Sequence, residues 1–170
     1  MKNAVKLFQE NMVELLSASE ARMTHCLKQL NQNQLWWTPG PNQNSVGALV
    51  RHIDGNLRQW AIAGIQKAKD HRDRNAEFHS SEQPSAENLL KAIRKTISET
   101  INIIQQLDET KLREAREIQR FPTTVMGALL HTVPHSVGHT HQIVQLTRMQ
   151  LANDYQFHWS PNDPRTSIPL

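Results

Sequence analysis

A chain of 170 residues, 38% apolar and 21% charged, is long enough to close one hydrophobic core without disulfides and too polar for a membrane bundle. Its formal charge of +3 reflects 19 basic against 16 acidic residues, and the densest basic stretch, Lys67 to Arg74, is interrupted by Asp70 and Asp73. No clustered stripe suited to a phosphate backbone results, so nucleic-acid binding is not expected. No run approaches the ~18 apolar residues of a membrane span, and the N-terminus lacks the apolar segment of a signal peptide. The one cysteine, Cys26, cannot make an internal disulfide; together these features point to a cytoplasmic protein without membrane association.

The elements read in chain order as helices joined by uneven connections. From residue 3 to residue 30, Val5, Phe8, Met12, Leu15, Ser19, Met23, Cys26 and Leu30 recur at spacings of three and four, a helical stripe. Pro39, Gly40, Pro41 and several asparagines between Asn31 and Asn44 mark a turn. Ser45 is a helix N-cap, and the helix it opens, approximately 45–65, carries Val46, Leu49, Val50, Ile53, Leu57, Trp60 and Ala61 on one side. Lys67 to Pro84 is charged and aperiodic, a long loop. Ser85 caps a third helix, approximately 85–109, with Leu89 or Leu90, Ile93, Ile97, Ile101, Ile104 and Leu107 as its core positions. Leu112 to Pro122 reads as a short hairpin or an irregular connection. Thr123 or Thr124 caps the last helix, approximately 124–150, and the proline-containing tail from Asn153 is expected to lie irregularly along the bundle.

Four long helices without a set of alternating strands make an all-α four-helix bundle, with residues 1–170 as a single domain. The long connections are expected to cross over its ends, so a simple up-down order of helices is not assured.

The nine histidines are the unusual feature. His131, His135 and His139 are spaced by four, so successive rings rotate by only ~40° about the helix and lie along one face. That face continues into Ile143 and Leu146, which predicts that the rings point inward. Neutral imidazoles four residues apart can offer two nitrogens to one zinc, nickel, copper or iron ion, and His52 on the second helix is the candidate for a third ligand. Spacing alone is equally compatible with partly buried histidines hydrogen-bonded to carbonyls or carboxylates. Pro134, inside the last helix, removes a backbone donor and predicts a kink that separates His131 from the pair beyond it. His141 is turned ~200° from His139 and faces elsewhere.

Two stretches carry a resemblance. Asn44-Ser45-Val46-Gly47-Ala48-Leu49-Val50-Arg51-His52-Ile53-Asp54-Gly55-Asn56-Leu57-Arg58-Gln59-Trp60 and His135-Ser136-Val137-Gly138-His139-Thr140-His141-Gln142-Ile143-Val144 resemble the DinB/YfiT-like proteins. Leu35-Trp36-Trp37 and Asn75-Ala76-Glu77-Phe78 are similar to one branch of them. In that family a histidine of the second helix joins an H-x-x-x-H pair of the last helix. The resemblance therefore implies His52, His135 and His139 as ligands of one divalent transition metal, zinc or nickel foremost. It also implies a homodimer and a small-molecule substrate, with a low-molecular-weight thiol such as bacillithiol, mycothiol or glutathione as cosubstrate.

Three histidines leave an open coordination position, the arrangement of catalytic rather than structural sites. The activity that the resemblance implies is thiol S-transfer or related detoxification. The alternatives are hydrolysis by an activated water, and a stress-response module that binds a metal or ligand without turnover. Asp54, Asn56 and Gln142 are the polar residues near enough in sequence to support the ligands, although Asp54 lies ~200° from His52 on its helix. No carboxylate is placed on the histidine face by spacing. Cys26 reads as a small core residue, and Trp36, Trp37, Trp60 and Trp159 as packing at helix ends or the rim of a pocket.

Overall fold

The computed structural model describes residues 4–158; Trp159 and the rest of the tail lie outside them. The first helix, α1 (Ala4–Leu27), stops a turn earlier than the apolar spacing suggests, although Leu30 is still buried beyond its end. The segment expected to be only a turn contains a short helix, α2 (Gln32–Trp36). It is held by a reciprocal cap in which the Asn31 side chain accepts from the Gln34 backbone and the Gln34 side chain accepts from the Asn31 backbone. Its Trp36 ring lies flat over Gly47, where a Cβ would come within 2.8 Å of the indole.

Ser45 caps α3 (Val46–Leu57), its hydroxyl accepting from the Ala48 amide. The helix does not stop at Leu57. It widens into a π-helical turn, Arg58–Ala63, and resumes as α4 (Gly64–Gln66) before Lys67 ends it in the left-handed conformation at φ 57°. A short helix, α5 (Arg74–His79), interrupts the connection that the sequence reads as an aperiodic loop. Next come α6 (Ala86–Gln105), capped by Ser85, and α7 (Glu109–Arg113), capped by Asp108.

The segment from Leu112 to Pro122 resolves as the hairpin. Strand β1 (Ala115–Ile118) pairs antiparallel with β2 (Phe121–Thr124), from Ala115 opposite Thr124 to Ile118 opposite Phe121. Both residues of its turn, Gln119 and Arg120, have positive φ, as the twist of a two-residue hairpin requires. Ile118 is the plug that seats the hairpin on α4, with its side chain where a Cβ at Gly64 would be. Thr124 caps α8 (Val125–Leu151).

Four long helical segments form the bundle. α1 packs on α6 and α8, and α3 packs on the same two. The order around the bundle is therefore α1, α6, α3, α8, and the connections α1 to α3 and α6 to α8 cross the diagonal. The core is aliphatic, with Leu16, Met23, Leu49, Ile53, Leu57, Ile93, Ile97, Ile104 and Leu129 fully buried. Both Leu89 and Leu90 enter it.

Helix α8 corrects two expectations. Its buried stripe runs through Ala128, Leu129, Thr132, Val133, Ser136, Thr140, Ile143 and Thr147, not through the histidines. The hydroxyls of Ser136, Thr140 and Thr147 each donate to the carbonyl four residues back, at 2.8–2.9 Å, so these residues serve as small core side chains that a hydrophobic pattern does not register. His135 and His139 consequently lie half-buried at the margin of that stripe, and His131 is exposed. Nor does Pro134 separate His131 from the pair beyond it: the helix is continuous from Val125 to Leu151, and the His131 ring lies 5.9 Å from that of His135. The carbonyl deprived of a donor belongs to Leu130, a residue 50% exposed.

Candidate metal centre

Because α3 packs on α8, His52 meets the pair four residues apart on the facing helix. The ring centroids of His52, His135 and His139 lie 4.4–5.0 Å from one another, with their planes 62–87° apart. One nitrogen of each falls within 4.8 Å of the other two. The closest approach is Nε2 of His52 to Nε2 of His135, at 3.0 Å. Among the described residues this is the one cluster of three or more potential ligands, and it contains no carboxylate.

Hydrogen bonds on the outer nitrogens assign the ring protons. His52 Nδ1–H donates to Glu77 Oε2 at 2.9 Å, and His139 Nδ1–H donates to Gln142 Oε1 at 2.8 Å. Each of these rings then turns an unprotonated Nε2 toward the others. The 3.0 Å contact of His52 Nε2 with His135 Nε2 is a hydrogen bond when His135 carries its proton there, and a shared cation can take that proton's place. Two nitrogens bonded at ~2.0–2.1 Å to one tetrahedral ion are themselves separated by ~3.3 Å, so the donor set fits a single borderline divalent ion.

The surroundings favour neutral His135 and His139, the form that metal binding requires. Burial, together with the neighbouring His139, His52 and His131 rings, pushes His135 down to about 4. Burial also lowers His139, against the opposing bond from Gln142, and burial lowers His131. Glu77 is shifted the other way from a buried acid. Burial opposes its ionisation, but the bonds from His52 and the Arg72 guanidinium outweigh that and hold its carboxyl below the usual range.

Of the three supporting residues suggested by sequence, only Gln142 is hydrogen-bonded to one of the three histidines. Asp54 pairs with Arg58 at 2.8 Å and accepts from Thr96 at 2.6 Å, and Asn56 accepts from Thr132 at 2.6 Å, tying α3 to α8. The partner that spacing missed is Glu77, on α5. The same helix brings Phe78 to 5.1 Å from the His52 ring. On the other flank, the π-helical turn presents Trp60, whose ring stacks on His131 at 3.9 Å. His131 in turn lies parallel to His135 at 5.9 Å. The Trp60 indole N–H is buried and has no acceptor among the described residues. His141 is exposed on the far side, as expected. Cys26 is fully buried, and Trp36 is packed at a helix end with its N–H donated to the Pro84 carbonyl.

The profile of the family described as "Protein of unknown function (DUF1572)" matches residues 3–162. No curated protein matches the chain. Solved structures do. A conserved protein of Enterococcus faecalis superposes with a TM-score of 0.73 at 17% identity, covering 85% of this chain and 97% of that one. YfiT from Bacillus subtilis, described as a probable metal-dependent hydrolase with an unusual four-helix bundle topology, gives 0.72 at 15% identity over 88% and 90%. A DinB-like protein from Bacillus cereus gives 0.65 at 17% over 83% and 91%. At these identities the likeness establishes the fold, a four-helix bundle of the DinB/YfiT kind.

Proposed function

We propose that this chain, which belongs to the DUF1572 family, is a metal-dependent enzyme that holds one divalent transition metal on His52, His135 and His139 and transfers a low-molecular-weight thiol to a small electrophile. The observation that carries the metal assignment is the convergence of three imidazoles, two of them with their protons committed to outer partners. An ion with an open position lowers the pKa of a thiol or water placed there and polarises an electrophile beside it.

What favours a thiol over water is the state of the nearest carboxylate. Glu77 is turned to the outer side of His52 and is shared between that ring and Arg72, so it does not serve as a general base. A thiol is acidic enough to give up its proton on ligation without a resident base, whereas an attacking water gains from one. His131 remains exposed beside the cluster and can take up that proton, and the half-buried Phe78 supplies an apolar wall beside His52.

Hydrolysis is the second reading, supported by the description of the YfiT neighbour as a probable metal-dependent hydrolase. The two separate in one assay. Zinc-loaded protein is given monochlorobimane with bacillithiol, mycothiol or glutathione in turn, and p-nitrophenyl esters without thiol. Metal-dependent conjugation with at least one thiol supports transfer. Turnover of the esters alone supports hydrolysis, and no turnover of either kind rejects the proposed activity.

A further inference from the structure

We infer that Glu77 and Arg72 are positioning residues for the metal centre, with Gly55 as the gap in α3 through which Glu77 reaches His52. The inference rests on the metal-binding reading above and adds to it a second layer of residues drawn from a segment that reads as a surface loop.

Glu77 is 7% exposed, and the Arg72 side chain only 4%. The carboxylate receives Arg72 as a two-pronged pair, Nε on Oε1 at 2.6 Å and Nη2 on Oε2 at 2.9 Å. His52 Nδ1–H donates to the same Oε2, which leaves Nδ1 and Arg72 Nη2 only 3.1 Å apart. The guanidinium is itself fixed at its other end. Its Nη1 donates to Gln59 Oε1 at 2.8 Å, the Gln59 amide donates to Asp70, and Asp70 accepts the Arg72 backbone N–H at 2.9 Å. Asp73 caps α5 and so orients Glu77 and Phe78 toward α3.

A buried ion pair roughly breaks even against apolar side chains of the same volume, so stability alone does not account for this one. Its third member does. A carboxylate on the outer nitrogen of a ligating imidazole fixes the tautomer, the ring's aim and its basicity toward the metal. Gly55, three residues after His52 on the same helix, completes the arrangement. A Cβ there would lie 2.0 Å from Glu77 Oε1 and 3.0 Å from Arg72 Nε. Elsewhere in a helix an alanine is preferred to glycine, so the small residue marks the close approach of another group.

Four variants test this in the full chain: Glu77→Ala, Glu77→Gln, Gly55→Ala and the Gly55→Ala, Glu77→Ala double. Zinc affinity is read by competition with a chromophoric chelator. The His52 ring nitrogens of the metal-free protein are read by long-range 15N–1H NMR. Glu77→Ala and Gly55→Ala are each expected to weaken zinc by about 10–100-fold. The double variant should match Glu77→Ala, because without the carboxylate the alanine meets only Arg72 Nε, at 3.0 Å, and a guanidinium freed of its partner gives way by a few tenths of an ångström. Glu77→Gln keeps an oxygen for Nδ1–H and should restore most of the affinity. It also leaves Arg72 a partner, so it reports even if Glu77→Ala fails to fold. In the metal-free wild type the proton should sit on His52 Nδ1, and it should pass partly to Nε2 in Gly55→Ala. Unchanged affinity in Glu77→Ala and Gly55→Ala, additive losses in the double, or an Nε2 proton in the wild type would each overturn the inference. Failure of the wild type to bind zinc would reject the metal reading instead, while the NMR spectrum would still decide the role of Glu77.

Discussion

Gln9 offers a direct test of how the crossed bundle is held together. It is buried on α1, and its side-chain amide faces the end of α6, where Nε2 lies 2.9 Å from the Ile104 carbonyl, 3.2 Å from that of Gln105 and 2.7 Å from that of Leu107. The Ile104 and Gln105 carbonyls belong to the last turn of α6, where intrahelical donors run out, and Leu107 lies two residues beyond its end. One amide has two hydrogens, so Gln9→Met removes two bonds at a time while conserving volume and helix preference. Each net bond is worth roughly 0.5–1.5 kcal/mol, and dry carbonyls without partners raise the cost, for a loss of about 1–3 kcal/mol. In a domain of this size that lowers the melting temperature by ~2–4 °C per kcal/mol, hence by roughly 2–12 °C. The assay is thermal unfolding by circular dichroism at a fixed metal concentration, beside elemental analysis of both proteins. Metal content should not change, because Gln9 shares no bond with the histidines. An unchanged melting temperature would show that the end of α6 is solvated, and that α1 does not stitch it.

Three further outcomes follow from the same geometry. Gln142→Leu removes the acceptor from His139 Nδ1 at an exposed position and should weaken zinc by about tenfold, the low end for such partners, in a chelator competition. Burial pushes the Cys26 thiol up, against the opposing bonds to Thr147 and Tyr155, so it should be silent to Ellman's reagent at pH 8 until the protein is unfolded in urea. Burial, reinforced by Cys26, also raises Tyr155 to about 12. Both groups are more acidic unfolded, so the stability they add is complete below the ordinary thiol value of 9.0 and is lost as pH rises through the folded values. Urea midpoints should therefore fall between pH 8 and pH 11, and a constant midpoint would contradict the burial of this pair.

Much of the bundle was legible because its helices announce themselves locally. Apolar residues recur with helical period, and Ser45, Ser85 and Thr124 cap the helices where the sequence places them. The face of α8 was misjudged because Thr132, Ser136, Thr140 and Thr147 count as polar in a sequence yet are buried, with the last three satisfied within their own helix. The order of helices around the bundle depends on packing between segments distant in sequence, and no local pattern carries it. Spacing and resemblance together brought out the three histidines. The Glu77–Arg72 pair stayed hidden because a charged, aperiodic stretch reads as solvated chain. Two signals were present nonetheless. Asp73 before Arg74-Asn75-Ala76-Glu77 is a helix start, and Gly55 interrupts the otherwise large side chains around His52 on α3.

The central claim is that His52, His135 and His139 hold one ion, and elemental analysis of protein purified without a histidine tag tests it most directly. The wild type, loaded with zinc or nickel and desalted, should retain about one ion per chain, and the His135→Ala, His139→Ala double variant should retain none. A bound ion at a hundred times its dissociation constant should also add about 2.7 kcal/mol to the wild type's stability and nothing to the variant's. A loaded wild type that emerges from desalting empty, or a variant that keeps its metal, would contradict the account.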